Sequence, residues 1–308
     1  MTGPSPFHAG EQLVQERAGV RAKAEALGRR MIQASMPAQH QEFYAQLPLL
    51  FFASLDGEGR PWASVLADRP GFARALGPDR LKIGAAPPAF DPGLFQEGSL
   101  VGMLGLEFET RRRNRMNGRI VSVHDPGFTV EVHQAFGNCP NYIQTRKPRP
   151  HRQRPRLLAQ GSRLEHSMAS LIEASDTFMI ASVNPGEGLD LSHRGGRPGF
   201  VKVVDEHTLL WPDFVGNNQF NTLGNIALDP RSGYLFFDLS RGLLLYLTGR
   251  SQIHWEHPEM GTVKGAQRLL SFTVDEARLV ADSLALGWKL ESYSRGLART
   301  GTFAPNDP

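Results

Sequence analysis

Cysteine is almost missing from this chain: Cys139 stands alone among 308 residues, which excludes an intrachain disulfide framework and any multi-cysteine metal site. No run of about 18 apolar residues occurs, so no spanning helix is expected. Residues 1–10 hold no charged region followed by a hydrophobic one, so no secretory signal is expected, and a cytoplasmic protein with no membrane partner is the simplest reading. The ten histidines are scattered, with no His-Glu-x-x-His or comparable cluster, and no metal site is expected. A Gly-x-Gly-x-x-Gly joining a strand to a helix is also lacking, which disfavours a dinucleotide fold. The charge is nearly balanced at +3, and much of the basic excess sits in one run, residues 146–156. That run has no interleaved aromatics and carries prolines spaced as in an extended connector. A solvated linker is therefore favoured over nucleic-acid contact.

What is present reads as mainly β with some α. Hydrophobic residues make up 40% of the chain, enough for packed cores. Residues 10–46 carry apolar positions near helical spacing (Leu13, Val14, Val20, Ala24, Leu27, Met31, Ile32), broken at Pro37, with a second short helix bearing Phe43, Tyr44 and Leu47. Residues 49–55, the turn 56–60 and residues 61–67 read as a hairpin. From there the sequence repeats. Ala53-Ser54 lies 128 positions before Ala181-Ser182, as Ser64 does before Ser192 and Arg69-Pro70-Gly71-Phe72 before Arg197-Pro198-Gly199-Phe200. Asn117-Gly118-Arg119 precedes Thr248-Gly249-Arg250 by 131. Two copies of one β-rich module in tandem are expected, each a small antiparallel barrel with a short helix before the strand at Val101 or Tyr234.

The expected divisions are an N-terminal helical cap over 1–48, a first module over 49–145, a basic Pro-rich linker over 146–162 and a second module over 163–308. Residues 137–144 read as a compact loop or a helix start capped by Asn138 with Pro140 in its first turn, and Cys139 within them as a buried small residue. Residues 272–287 read as a strand end followed by a capped helix, and the tail beyond Arg299 as frayed.

The chemistry concentrates in residues 192–202, Ser-His-Arg-Gly-Gly-Arg-Pro-Gly-Phe-Val-Lys, and in the stretch 211–219. Arg197 and Lys202, five residues apart on a segment leading into a strand, can be aimed at one anion, while the glycines allow close backbone approach. The loop with Asn217, Asn218 and Gln219 supplies neutral donors suited to phosphate and carbonyl oxygens. The first copy has Val65-Leu66-Ala67-Asp68 at the place of His193-Arg194-Gly195-Gly196. It has lost the donors and gained an acid, so no cofactor is expected there.

These residues resemble the pyridoxamine 5′-phosphate oxidase-like family of FMN-binding split barrels, whose flavin strand carries an Arg, four intervening residues and a Lys. Arg197 and Lys202 match that spacing, Pro212-Asp213 a two-residue step after the next strand, and Asn217-Asn218-Gln219 a polar triplet. The resemblance runs from about residue 44 to 287 and implies tandem split β-barrels with FMN as cofactor. It implies that Ser192, Arg194, Arg197, Pro198, Gly199, Lys202, Pro212, Asp213, Asn217, Asn218 and Gln219 hold the cofactor. In this family the cofactor lies at a two-fold interface, so the first copy would complete the site. If strand alternation holds, Arg111, Arg113 and Arg115 share a face there, and Arg113 and Arg115 join the cofactor residues. The implied function is an oxidoreductase passing hydride or electrons between FMN and a small molecule, with a nicotinamide nucleotide or another donor. The alternative is a non-enzymatic flavin- or haem-binding split barrel. His193 is the one proton-donor candidate, set against the commoner structural role of a His beside glycines. Two departures stand out: the triplet has no basic residue, and the C-terminal Arg-and-Trp segment that holds the vitamin phosphate in true pyridoxamine oxidases is missing. A homodimer is left open.

Overall fold

Three short helices lead the chain, α1 (Ala9–Arg17), α2 (Arg21–Met31) and α3 (Ala38–Gln46). They belong to a computed structural model that describes residues 3–184 and 188–303. The helical spacing of residues 10–46 is interrupted twice, not once. Gly19 adopts φ 70° just past the end of α1, a conformation natural to glycine, and Pro37 precedes α3.

β1 (Leu49–Leu55) and β2 (Pro61–Ala67) form the hairpin, with Phe52 opposite Ser64. With β3 (Ala73–Gly77), β4 (Arg80–Ile83), β5 (Leu100–Glu107), β6 (Arg112–His124) and β7 (Gly127–Gly137) they make an antiparallel sheet ordered β2-β1-β5-β6-β7-β4-β3. After β8 (Thr145–Pro150), β9 (Arg156–Gly161) and α4 (His166–Ala174) come β10 (Thr177–Asn184), β11 (Gly188–Gly195), β12 (Lys202–Val203) and β13 (Thr208–Phe214). Helix α5 (Asn221–Leu228), β14 (Arg231–Asp238), β15 (Leu243–His254) and β16 (Ala266–Ala281) follow. The second sheet runs β11-β10-β14-β15-β16-β13-β12, strand for strand the order of the first, with β9 added on β16. β17 (Leu286–Ser292) pairs with β8. The structure is thus mostly β with few helices.

The repeated Asn/Thr-Gly-Arg strings sit at equivalent bulges. Pairing shifts between Asn117 and Gly118 and between Thr248 and Gly249. A side chain on either glycine would run into a carbonyl across the strand pair, that of Glu131 or of Thr273. The second bulge also corrects the helix expected after residue 272. Thr248 faces Glu276 and Gly249 faces Val274, so Asp275 is the extra residue of a bulge in one long strand. Its turn-favouring side chain is what reads as a helix cap. The helix expected before Val101 is likewise replaced by irregular chain, since Pro87, Pro88, Pro92 and Gly93 interrupt any helical ladder there, whereas α5 does precede β14.

Residues 146–162 do not float free. They lie along the second half as β8 and β9, with most side chains exposed. Residues 138–144 form a loop, not a helix. The tail is tied down through Phe303, whose N–H reaches the Gly199 carbonyl at 3.0 Å, as that of Gly301 reaches Lys264 at 2.8 Å. Residues 304–308 lie outside the described residues. Among the described residues no helix is long and apolar enough to cross a membrane, and no cluster of metal-ligating side chains occurs.

One core runs between the halves, where Phe51 stacks on Phe237 at 5.5 Å beside Trp62, Leu189 and Tyr246. The second half has its own core around Phe178, whose ring meets Phe200, Trp211, Tyr234 and Phe236 at 4.9 to 5.9 Å. Phe178→Ala is expected to cost about 3–5 kcal/mol of stability, read from the denaturant midpoint. A loss below about 1 kcal/mol would mean that this core collapses around the hole.

Candidate functional site

Where the two halves meet, a cleft of about 100 Å³ opens to solvent. The second half supplies the end of β11 (Ser192 to Gly195), the end of β13 (Pro212 to Phe214), the loop with Asn217 and Asn218, and the first turn of α5. The first half supplies Arg113 and Arg115 from β6 and the loop residues Asn138, Cys139, Asn141 and Tyr142. Burial grades across it: Arg115, Ser192, His193, Asp213 and Thr222 are buried, while Asn138, Tyr142, Asn217 and Asn218 are partly exposed at the mouth.

The buried end is positively charged and short of partners. Arg115 meets Asp190 at 3.0 Å and also bonds the Ser192 hydroxyl, which accepts a second bond from Thr222 at 2.7 Å. Arg113 donates Nε to the Cys139 carbonyl at 2.8 Å, and Arg268, behind the cleft, meets Asp213 at 3.3 Å. Four guanidiniums, Arg115 and Arg268 buried and Arg113 and Arg194 part-buried, thus face two carboxylates, Asp190 and Asp213. Two positive charges are left over. Nε of Arg115 and of Arg194, Nη1 of Arg268 and Nε2 of His193 are all buried without a hydrogen-bond partner among the described residues. Burial, then Arg194 and Arg115, depress the proton affinity of the Arg113 guanidinium, which stays charged as guanidinium does in proteins. Burial, then Arg113, Arg194 and Arg146, hold His193 well below the usual histidine range, so its ring is neutral at pH 7. The start of α5 adds to this field, since no side chain caps it and Asn221, Thr222 and Leu223 all line the cleft.

Of the residues singled out from sequence, Ser192, His193, Arg194, Pro212, Asp213, Asn217, Asn218, Arg113 and Arg115 come together here. Gln219 is buried just behind, accepting from the Asn217 amide at 3.1 Å. Arg197, Pro198, Gly199 and Lys202 do not line the cleft. Residues 196–201 form a turn, with Gly199 at φ 85°, so Arg197 and Lys202 are not presented along one strand. Arg197 lies over the Tyr293 ring and Lys202 pairs with Glu259 at 2.7 Å. Arg111, at φ 60° before β6 begins, turns away to the Ile143 carbonyl, so only Arg113 and Arg115 share the expected face. Cys139 lines the cleft and is half-buried, not the interior residue expected. Thr222, Asp190 and Arg268 escaped the sequence reading. Asn221-Thr222, directly after the amide loop, was the one available signal for the helix start.

The first half shows the contrast. Ser64, the counterpart of Ser192, bonds the carboxylate of Asp91, which burial pushes up to about 6 against the bonds from Ser64 and the Gly93 N–H. An acid stands there where the other half gathers cations.

The chain is similar to pyridoxamine 5′-phosphate oxidase-like proteins. A candidate pyridoxamine 5′-phosphate oxidase from Lactobacillus delbrueckii shares 10% identity over 38% of this chain and 94% of its own, with a TM-score of 0.32. An FAD-binding protein from Mesorhizobium loti shares 10% over 39% and 96%, at 0.27. HupZ of Group A Streptococcus shares 18% over 37% and 98%, at 0.31. No protein-family model and no curated protein matches the chain. With TM-scores this low the likeness decides nothing about the cleft, whose own residues must carry its reading.

Proposed function

We propose that the cleft holds FMN by its phosphate and that the chain is a flavoprotein of two tandem split barrels, an oxidoreductase acting on a small molecule. The observation that carries this reading is the excess of two positive charges, on buried and part-buried arginines, beside an uncapped helix start. A phosphomonoester carries close to two negative charges at pH 7 and several acceptor oxygens, which suits guanidinium nitrogens left without partners. The enclosed volume is smaller than the roughly 300–1,000 Å³ of whole-ligand pockets, so it takes the phosphate end, and the ring belongs at the open side. There Tyr142 and Phe214, with ring centroids 5.6 Å apart, and the amides of Asn138, Asn217 and Asn218 offer apolar surface and neutral donors.

FMN when bound supplies the hydride or electron chemistry. The protein's own part is to hold and orient. Arg113 and Arg115 reach in from the first half, so neither half makes the site alone. Arg194 and the start of α5 complete the positive field, and the neutral His193 offers one ring nitrogen for a hydrogen bond to the ligand. A nicotinamide nucleotide or similar donor, and a cytoplasmic setting, belong to the same proposal.

The full chain mixed with FMN and freed of excess is expected to keep flavin absorbance, and Arg194→Gln to weaken binding by about 30-fold or more. Arg197→Glu, outside the cleft, is expected to change affinity by less than about threefold. A colourless protein that takes up neither FMN nor inorganic phosphate would remove the reading. Bound flavin that no electron donor reduces would leave a binding protein and no enzyme.

A further inference from the structure

Helix α1 packs against α5 of the second half, beside the cleft. Gly224 in the first turns of α5 has no room for a side chain because a Cβ would lie 2.6 Å from the Glu11 Cα. Gln15 donates to the Gln219 carbonyl at 2.9 Å, at the end of the amide loop. Glu11, only 4% exposed, bonds the side chain of Asn221, the first residue of α5 and part of the cleft wall. Its other oxygen accepts from the His8 backbone N–H at 2.9 Å.

We propose that Glu11 is a positioning residue of the anion cleft, one that ties α1 to the start of α5 through Asn221 and sets by its own charge how tightly the cleft holds a dianion. The inference rests on the dianion reading above.

The groups around Glu11 are few. Asp190 faces it from β11 and Arg115 from β6, the His8 ring lies 3.5 Å away, and α5 contributes only neutral side chains, Asn221 and Asn225. A second cavity of about 210 Å³, lined by His8, Glu11, Asn117, His133, Asp190 and Asn225, gives the carboxyl access to water and hence to protons. Burial first, then the Asp190 charge, push Glu11 up to about 8, against the weaker pull of the His8 N–H, Asn221 and Arg115. At pH 7 it is therefore neutral. The Asn221 amide can turn to meet either state, accepting from the acid or donating to the carboxylate. Above pH 8 the ionised carboxylate offsets one of the two surplus charges beside Arg115, and the dianion is held less well. Binding and protonation are then linked, so anion uptake at pH 8 must draw in protons.

The test uses the full chain with FMN, a phosphomonoester dianionic from pH 7 upward, as probe, and inorganic phosphate as a second, its affinity referred to the dianion fraction present at each pH. Wild-type affinity is expected to fall about tenfold between pH 7 and pH 9, the linkage slope for one required proton. Glu11→Gln, neutral at every pH, is expected to bind within about threefold of wild type at pH 7 and to show no such fall. Calorimetry of the wild type in buffers of different ionisation enthalpy is expected to show proton uptake at pH 8, a measurement that stands even if the variant fails to fold. A flat wild-type profile, a fall that persists in Glu11→Gln, or binding at pH 8 without proton uptake would each overturn the role of Glu11 and leave the cleft intact. Failure of the wild type to bind either probe at pH 7 would instead overturn the cleft reading itself.

Discussion

Arg113→Met is expected to raise the melting temperature of the ligand-free protein and to weaken its affinity for FMN and inorganic phosphate by about 100-fold or more. Both halves of that result come from one arrangement. Arg113 is part-buried with Arg194 and Arg115 as its charged neighbours, and its one hydrogen bond goes to a neutral carbonyl. Without an anion, folding must dehydrate the guanidinium and crowd like charges. Methionine keeps most of the length and removes both costs, so a gain of about 1–3 kcal/mol is expected after the lost Cys139 bond is counted. On the proposed reading the same charge holds a bound dianion, and losing that contact is expected to cost about 2–5 kcal/mol of affinity. Thermal unfolding with and without phosphate separates the two. The wild type should gain stability with ligand concentration, and the variant should start higher and not respond. A variant that is less stable and still responds would show that Arg113 serves the fold and not the anion.

Gly102→Val is expected to lower stability strongly, because it strikes the seam between halves. A Cβ at Gly102 in β5 would lie 2.6 Å from the Leu189 carbonyl in β11, and the contact is reciprocal: Gly233 in β14 has the same close approach to Pro61 in β2. The partners are related by the sequence repeat, Leu189 standing 128 positions after Pro61 and Gly233 standing 131 after Gly102. Neither backbone can retreat without opening the core around Phe51, Trp62 and Leu189, so a loss of about 3 kcal/mol or more is expected. Because Arg113 and Arg115 cross this seam, FMN affinity should fall with it. Gly161→Ala, where a Cβ meets nothing within 4 Å, is the control and should stay within about 0.5 kcal/mol. Equal stability of the two variants would mean that the halves pack loosely.

Much of this was legible in the sequence because repetition is a long-range signal. The spacings of Ser64 to Ser192 and of Gly118 to Gly249 placed equivalent positions on equivalent strands, and the amide loop and Arg113 with Arg115 were found in the cleft. What misled was local. Asp275 looks like a helix cap because bulges and caps favour the same short polar side chains, and only the register of β15 against β16 tells them apart. Arg197 and Lys202 have a spacing suited to one anion on a strand, but Pro198 and Gly199 turn the chain between them and spend the pair on Tyr293 and Glu259. Arg268 and Glu11 could not be found from spacing at all, since each acts on the cleft from an element remote in sequence.

The reciprocal glycine seam makes one polypeptide imitate a pair of identical subunits. In a true pair, any substitution that closes one cleft closes its mate, and no cleft can specialise without the other. Joined in a single chain, the copies drift separately: Asp91 can settle against Ser64 while Arg194 lines the cleft near Ser192. Such a protein can give one cleft wholly to the ligand and turn its twin into scaffold, a division of labour closed to symmetric assemblies.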